Sequence, residues 1–104
     1  RLHYCIMYTI KTHPDFDKWL NGIKDRMTRL RLARRLDKAA RGNLGDIKAL
    51  GNSLYEMREY FGPGWRMYYV KRGDVLIVML GGGSKSTQRS DIAVAKQRAL
   101  LLED

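Results

Sequence analysis

The chain has 104 residues, 44% of them hydrophobic and 30% charged, which suits one modest core and leaves too little for tandem domains. No apolar run approaches the roughly 18 residues of a membrane span, and the one cysteine, Cys5, excludes an internal disulfide framework and a cysteine-based zinc site and suits a reducing cytoplasm. Twenty Lys and Arg against eleven Asp and Glu give a net charge of +9 and a pI near 10.0, a balance that favours nucleic acid, or an acidic protein that masks the charge.

A single domain is expected over 1–104. Residues 1–6, "RLHYCI", lack the long apolar region of a signal peptide and read as an upstream extension, or else as the first part of strand one; a second plausible start lies at Met7, with the core over 7–104. Met7 to Thr12 is β-branched and aromatic and reads as a strand. His13-Pro14-Asp15 stops it, and Pro14 suits a helix's first turn, with Asp15 and Asp17 at its positive end. Phe16, Trp19, Leu20 and Ile23 form an apolar stripe.

Asp25 to Arg41 is helical again. Leu30, Leu32, Ala33, Leu36 and Ala40 cover one side; Arg31, Arg34, Arg35, Lys38 and Arg41 line the other, a solvated face or an RNA or ribosome contact. The two helices form a hairpin broken near Arg26 to Thr28, or one bent helix. Gly42-Asn43 caps the second helix, and Gly45-Asp46 begins a loop.

The period then changes from 3.6 to 2. Ser53 to Tyr60 alternates Tyr55 and Met57 against Glu56 and Arg58; Trp65 to Arg72 sets Trp65, Met67 and Tyr69 opposite Arg66, Tyr68 and Val70. Gly62-Pro63-Gly64 is the turn between these strands, and Gly73-Asp74 turns into the apolar run Val75 to Leu80, expected as the central, doubly covered strand, ended by Gly81-Gly82-Gly83. A closing helix carries Ile92, Ala95, Ala99 and Leu102 on one stripe. The order β-α-α-β-β-β-α describes an α+β fold, a small, mostly antiparallel sheet with helices packed on one side.

Arg58 and Arg66 share a face if they lie nearly opposite, which needs an odd-length connection or a bulge near Tyr60 to Gly64. Glu56, Arg58, Arg66 and Tyr68 would then crowd one exposed face, with Lys85 at its edge. Cations beside a carboxylate and a tyrosine suit a phosphodiester; the bland alternative is a decorated solvent face with Arg66 paired to Glu56 or Glu59. "GGGSKSTQ" lacks P-loop spacing, so Lys85 and the helix N-terminus offer at most a phosphate contact, and Ser86 or Thr87 an ordinary cap. Neither His3 nor His13 sits at ligand spacing, so no metal is expected.

The stretch "LYEMREYFGPGWRMYYVKRGDVLIVMLGGGSKSTQRSDIAVAKQ" carries Glu56-x-Arg58, Gly62-Pro63-Gly64-x-Arg66-x-Tyr68, Gly82-Gly83-x-Lys85-x-x-Gln88, Asp91-Ile92 and Ala95-Lys96. It resembles the addiction module killer protein branch of the RelE/ParE toxin superfamily, close to the HigB-type toxins of type II toxin–antitoxin systems. The likeness extends to nearly the whole chain from Met7.

That resemblance implies a cytoplasmic toxin without cofactor that enters the ribosomal A site and cleaves mRNA. It implies restraint by a tightly bound antitoxin, usually a helix-turn-helix repressor. Carried over by position, Arg58, Arg66 and Lys85 are the catalytic cations. Glu56 is the best-placed base for metal-independent attack by the RNA 2′-hydroxyl, with Tyr68 or a lysine as alternatives. Tyr68, Gln88, Lys48, Arg31 and Arg35 complete the expected substrate-binding set. ParE-like members bind and inhibit DNA gyrase instead, and fold does not separate the two.

Overall fold

The computed structural model describes residues 7–102; the reading of residues 1–6 lies outside them. A five-stranded sheet has the order β1-β5-β4-β3-β2, with strands β1 (Thr9–Thr12), β2 (Ile47–Gly51), β3 (Leu54–Arg58), β4 (Trp65–Arg72) and β5 (Leu76–Ser84). Only the β1–β5 pairing is parallel. Helices α1 (Pro14–Asn21) and α2 (Arg26–Ala40) follow β1, and a short 3-10 turn (Lys85–Thr87) leads from β5 into α3 (Gln88–Leu101).

Helix α1 begins as its sequence dictates. Pro14 takes the first turn, and the His13 side chain caps it by accepting from the Asp15 N–H at 3.0 Å. The helix break falls at residues 22–25 rather than at Arg26 to Thr28. Strand β2 is an element that the sequence reading assigned to a loop. It is an exposed edge strand, joined to β3 by a tight turn in which Asn52 and Ser53 both take positive φ, 53° and 62°.

The helices lie on both faces of the sheet, not on one. Facing α1 and α2, the core contains Phe16, Leu32, Ala39, Met57, Met67, Tyr69, Ile77 and Met79, with Trp19, Tyr55 and Trp65 packed against it. Facing α3 is a smaller cluster of Leu54, Tyr68, Val70, Leu80 and Ala95. Strand β4 is the middle strand, and β5 is its neighbour, still covered on both faces because α1 and α3 both pack on it.

The glycine run does not end β5; the strand continues through it to Ser84. A Cβ on Gly82 would lie 2.4 Å from the Trp19 ring, and one on Gly83 1.9 Å from an Asp91 carboxylate oxygen. Glycine there lets helices on opposite faces approach the backbone closely.

Candidate functional site

At the β3–β4 end of the sheet, Arg58 lies directly opposite Arg66, and Glu56 directly opposite Tyr68. The odd-numbered connection from Glu59 to Trp65 makes this register, closed by the Glu59 N–H donating to the Trp65 carbonyl at 2.9 Å. The Lys85 N–H donates to the Gly64 carbonyl at 2.8 Å, so the end of β5 is pinned to the same turn. Arg58 and Arg66, on the two arms of one hairpin, are thereby joined by the backbone of Lys85 from the end of β5.

Side chains at directly opposed positions are about 4.5–5.5 Å apart at Cβ, and like charges there repel. Each arginine has its own carboxylate. Arg58 Nη2 donates to Asp46 Oδ1 at 3.0 Å, and Arg66 Nε stands 3.9 Å from Glu56 Oε1. Arg66 Nη1 also donates to the Glu59 and Trp65 carbonyls at 3.0 and 3.1 Å, which fixes its orientation.

The face is not open, as the alternation of the strands suggested. Glu56 is 0% exposed, Arg66 4% and Tyr68 0%. The start of α3 covers them, and the Gln88 side-chain amide donates to Glu56 Oε2 at 2.7 Å. Glu56 is therefore a buried partner of Arg66 and Gln88, poorly suited to be the proton acceptor. Gln88 bonds this carboxylate from α3, which makes it a contact within the protein. Tyr68 cannot stack a base from its buried position. Burial, and then the neighbouring Glu56 charge, push its phenol well above the ordinary tyrosine range, so it stays protonated at neutral pH. Its hydroxyl interacts with the Glu56 carboxylate but completes no well-formed hydrogen bond there, and Arg66 Nε stands 3.9 Å from Glu56 Oε1.

An aromatic side chain and a carboxylate that sequence reasoning left out complete the site. Tyr60 is 68% exposed, its ring lies 5.4 Å from the Arg66 guanidinium carbon, and its hydroxyl donates to Asp46 Oδ2 at 2.7 Å. The bond from Tyr60, then that from Arg58, hold the Asp46 carboxyl below its ordinary value, and the same bond raises the Tyr60 phenol. The alternation from Ser53 to Tyr60 already set Tyr60 on the Glu56 and Arg58 side, but gave it no role, and β3 ends before it at Arg58. Asp46 sat in what read as a loop.

The other expected contacts divide. Lys48 is exposed on edge strand β2, opposite Glu56. Arg31 is exposed on α2, its guanidinium carbon 3.6 Å from the Phe61 ring centroid. Arg35 does not belong to the solvated stripe: it is 8% exposed and bonded within the protein. The apolar stripe of α2 runs through Leu32 and Ala39, and Arg35 shares that inward side while Leu30 is exposed.

An uncharacterized protein of Haemophilus influenzae (strain Rd) is 39% identical over 87 residues, spanning 84% of this chain and 88% of that one. The chain belongs to the family of that protein. No family model matches the chain. Among solved structures, that of Escherichia coli toxin RelE, a double arginine-to-alanine mutant in the free state, superposes with a TM-score of 0.72 at 16% identity, over 92% of this chain and 99% of RelE. The fold is RelE-like. No helix among the described residues is long and apolar enough to cross a membrane.

Proposed function

We propose that this family member is the toxin of a type II toxin–antitoxin pair, a ribosome-dependent mRNA endoribonuclease of the HigB-like kind that arrests translation until its antitoxin neutralises it. The observation that carries this reading is the directly opposed pair Arg58 and Arg66, on a RelE-like fold, with Lys85 pinned to the turn between their strands. Asp46 and Glu56 offset the repulsion of the two cations in the free protein, and a phosphodiester brings a further anion to the same pair.

In this reading the RNA 2′-oxygen forms a bond to the adjacent phosphorus, and the bond from phosphorus to the 5′-oxygen breaks. The 2′-hydroxyl proton leaves to a base and the 5′-oxygen gains a proton, giving a 2′,3′-cyclic phosphate and a 5′-hydroxyl. Lys85, which is exposed, and Arg58, whose side chain is 30% exposed, meet the phosphate and stabilise its added charge, while Arg66, 4% exposed and bonded to the Glu59 and Trp65 carbonyls, contributes its charge from beneath. Each such contact is worth about 3–4 kcal/mol of barrier. Tyr60 takes the stacking role that Tyr68 cannot fill. Ordering of the mRNA in line by the ribosome supplies much of the rate. The net charge of +9 suits both the ribosome and a charge-masking antitoxin.

The test is translation of a defined mRNA in a reconstituted system, with RNA 5′ ends mapped by primer extension. Wild type is expected to give discrete cuts only when ribosomes are present. Lys85→Ala, at an exposed position, is expected to lower cleavage about 10²–10³-fold while leaving the unfolding midpoint unchanged. Intact mRNA at doses that arrest growth would overturn the reading and direct the work to gyrase supercoiling.

A further inference from the structure

The buried guanidinium of Arg35 is the most heavily bonded side chain near the site. Its Nε and Nη2 donate to the Leu44 carbonyl at 3.2 and 2.9 Å, and Nη2 donates to the Asp46 carbonyl at 2.7 Å. Its Nη1 donates to the Arg58 carbonyl at 3.0 Å and to the Glu59 carboxylate. Acceptors from the start of β2 and from the end of β3 thus converge on one planar fork. Gly45 leaves room for it, because a Cβ there would sit 2.9 Å from the guanidinium carbon.

Three of the four acceptor residues, Asp46, Arg58 and Glu59, themselves hold or form the site. Asp46, held through its carbonyl, uses its carboxylate to hold the Arg58 side chain and the Tyr60 hydroxyl. Glu59, held through its carboxylate, uses its carbonyl to hold Arg66 Nη1 and its N–H to close the β3–β4 turn. The Arg58 carbonyl is held directly.

We propose that Arg35 is a positioning residue, which sets the opposed geometry of Arg58 and Arg66 from the far side of the turn and makes no contact with RNA. Its kinetic consequence rests on the nuclease reading above; its geometric consequence does not. Lysine in its place keeps the charge but is a compact ammonium with three donors and no planar fork, so it cannot span the same acceptors.

The experiment compares wild type, Arg35→Lys and Glu59→Gln as full chains. Single-turnover cleavage is measured on programmed ribosomes at varied ribosome concentration, with thermal unfolding alongside. Arg35→Lys is expected to lower the saturating rate about a hundredfold at an unchanged half-saturating concentration, the signature of a misplaced catalytic group. Glu59→Gln, which keeps the carbonyl bonds, is expected to lose less in the same direction, and it carries the test if Arg35→Lys does not fold.

A lowered melting temperature with an unchanged saturating rate would overturn the proposal by making Arg35 merely structural. A raised half-saturating concentration at unchanged rate would overturn it by making Arg35 an RNA contact. If wild type cuts no RNA, the nuclease reading fails by itself, and the Nε–Hε resonances of Arg58 and Arg66 in the free protein decide. Their displacement in the variants supports positioning, and unmoved resonances overturn it.

Discussion

The two faces of the sheet solve different problems with the same alternating strands. On the α1 and α2 side, Met57, Met67, Tyr69, Ile77 and Met79 meet Phe16 and Leu32 in an apolar core, and Trp19 packs between Phe16, tilted at 48°, and Trp65, edge-on at 63°, at centroid distances of 5.7 and 6.2 Å. On the α3 side, Glu56, Arg58, Arg66 and Tyr68 share the face with only a small apolar cluster. The helix over the polar face buries Ala95 and leaves Leu100 and Leu101 exposed. Apolar burial stabilises the first face, while the second buries a carboxylate and a guanidinium and sets two arginines opposite each other, a sign that it is shaped by something besides stability.

The contrast is broken hardest from the apolar side. Phe16→Ala should destabilise the protein by about 3–5 kcal/mol in chemical denaturation, since a fully buried ring would leave a cavity. Gly82→Ala should cost about 1–3 kcal/mol, because its methyl would meet the Trp19 ring held between Phe16 and Trp65; a loss near zero would mean that the ring yields.

On the polar side, Tyr68→Phe removes a buried hydroxyl that faces the Glu56 carboxylate without a well-formed hydrogen bond and is expected to cost no more than about 1 kcal/mol at pH 7. Its larger effect appears with pH. The folded-state phenol is raised above its ordinary 10.0, so the unfolded chain ionises first. Stability is complete below pH 10 and falls as pH rises above it, and Tyr68→Phe should flatten that fall in melting temperature. Tyr69, raised by burial and then by Tyr55 to about 12, should leave a residual slope.

The smallest effect concerns Asp46. Because its carboxyl is held below its ordinary 3.8, the Arg58 contact should persist as pH falls through that value and be lost only lower, readable as the Arg58 Nε–Hε resonance in an acid titration. Loss at or above pH 3.8 would break the account of Arg58 as an anchored side chain.

Much of this was legible in the chain itself. The alternation of Tyr55 to Arg58 and Trp65 to Val70 and the odd-length turn set which side chains share a face, and Pro14 set where α1 begins, because these are local rules of backbone geometry. The opposed arginines followed from that alternation once the turn proved odd in length, whereas Lys85 is pinned by a bond to the distant Gly64 carbonyl that no local pattern gives. Local pattern does not say what covers a face. Only the tertiary structure decided that α3 closes over Glu56 and Tyr68, that the short segment Ile47–Gly51 pairs with β3 as an edge strand, and that Arg35 turns inward to Leu44, Asp46, Arg58 and Glu59. Helix periodicity places an arginine by angle alone, whereas its burial depends on acceptors that arrive from distant parts of the chain.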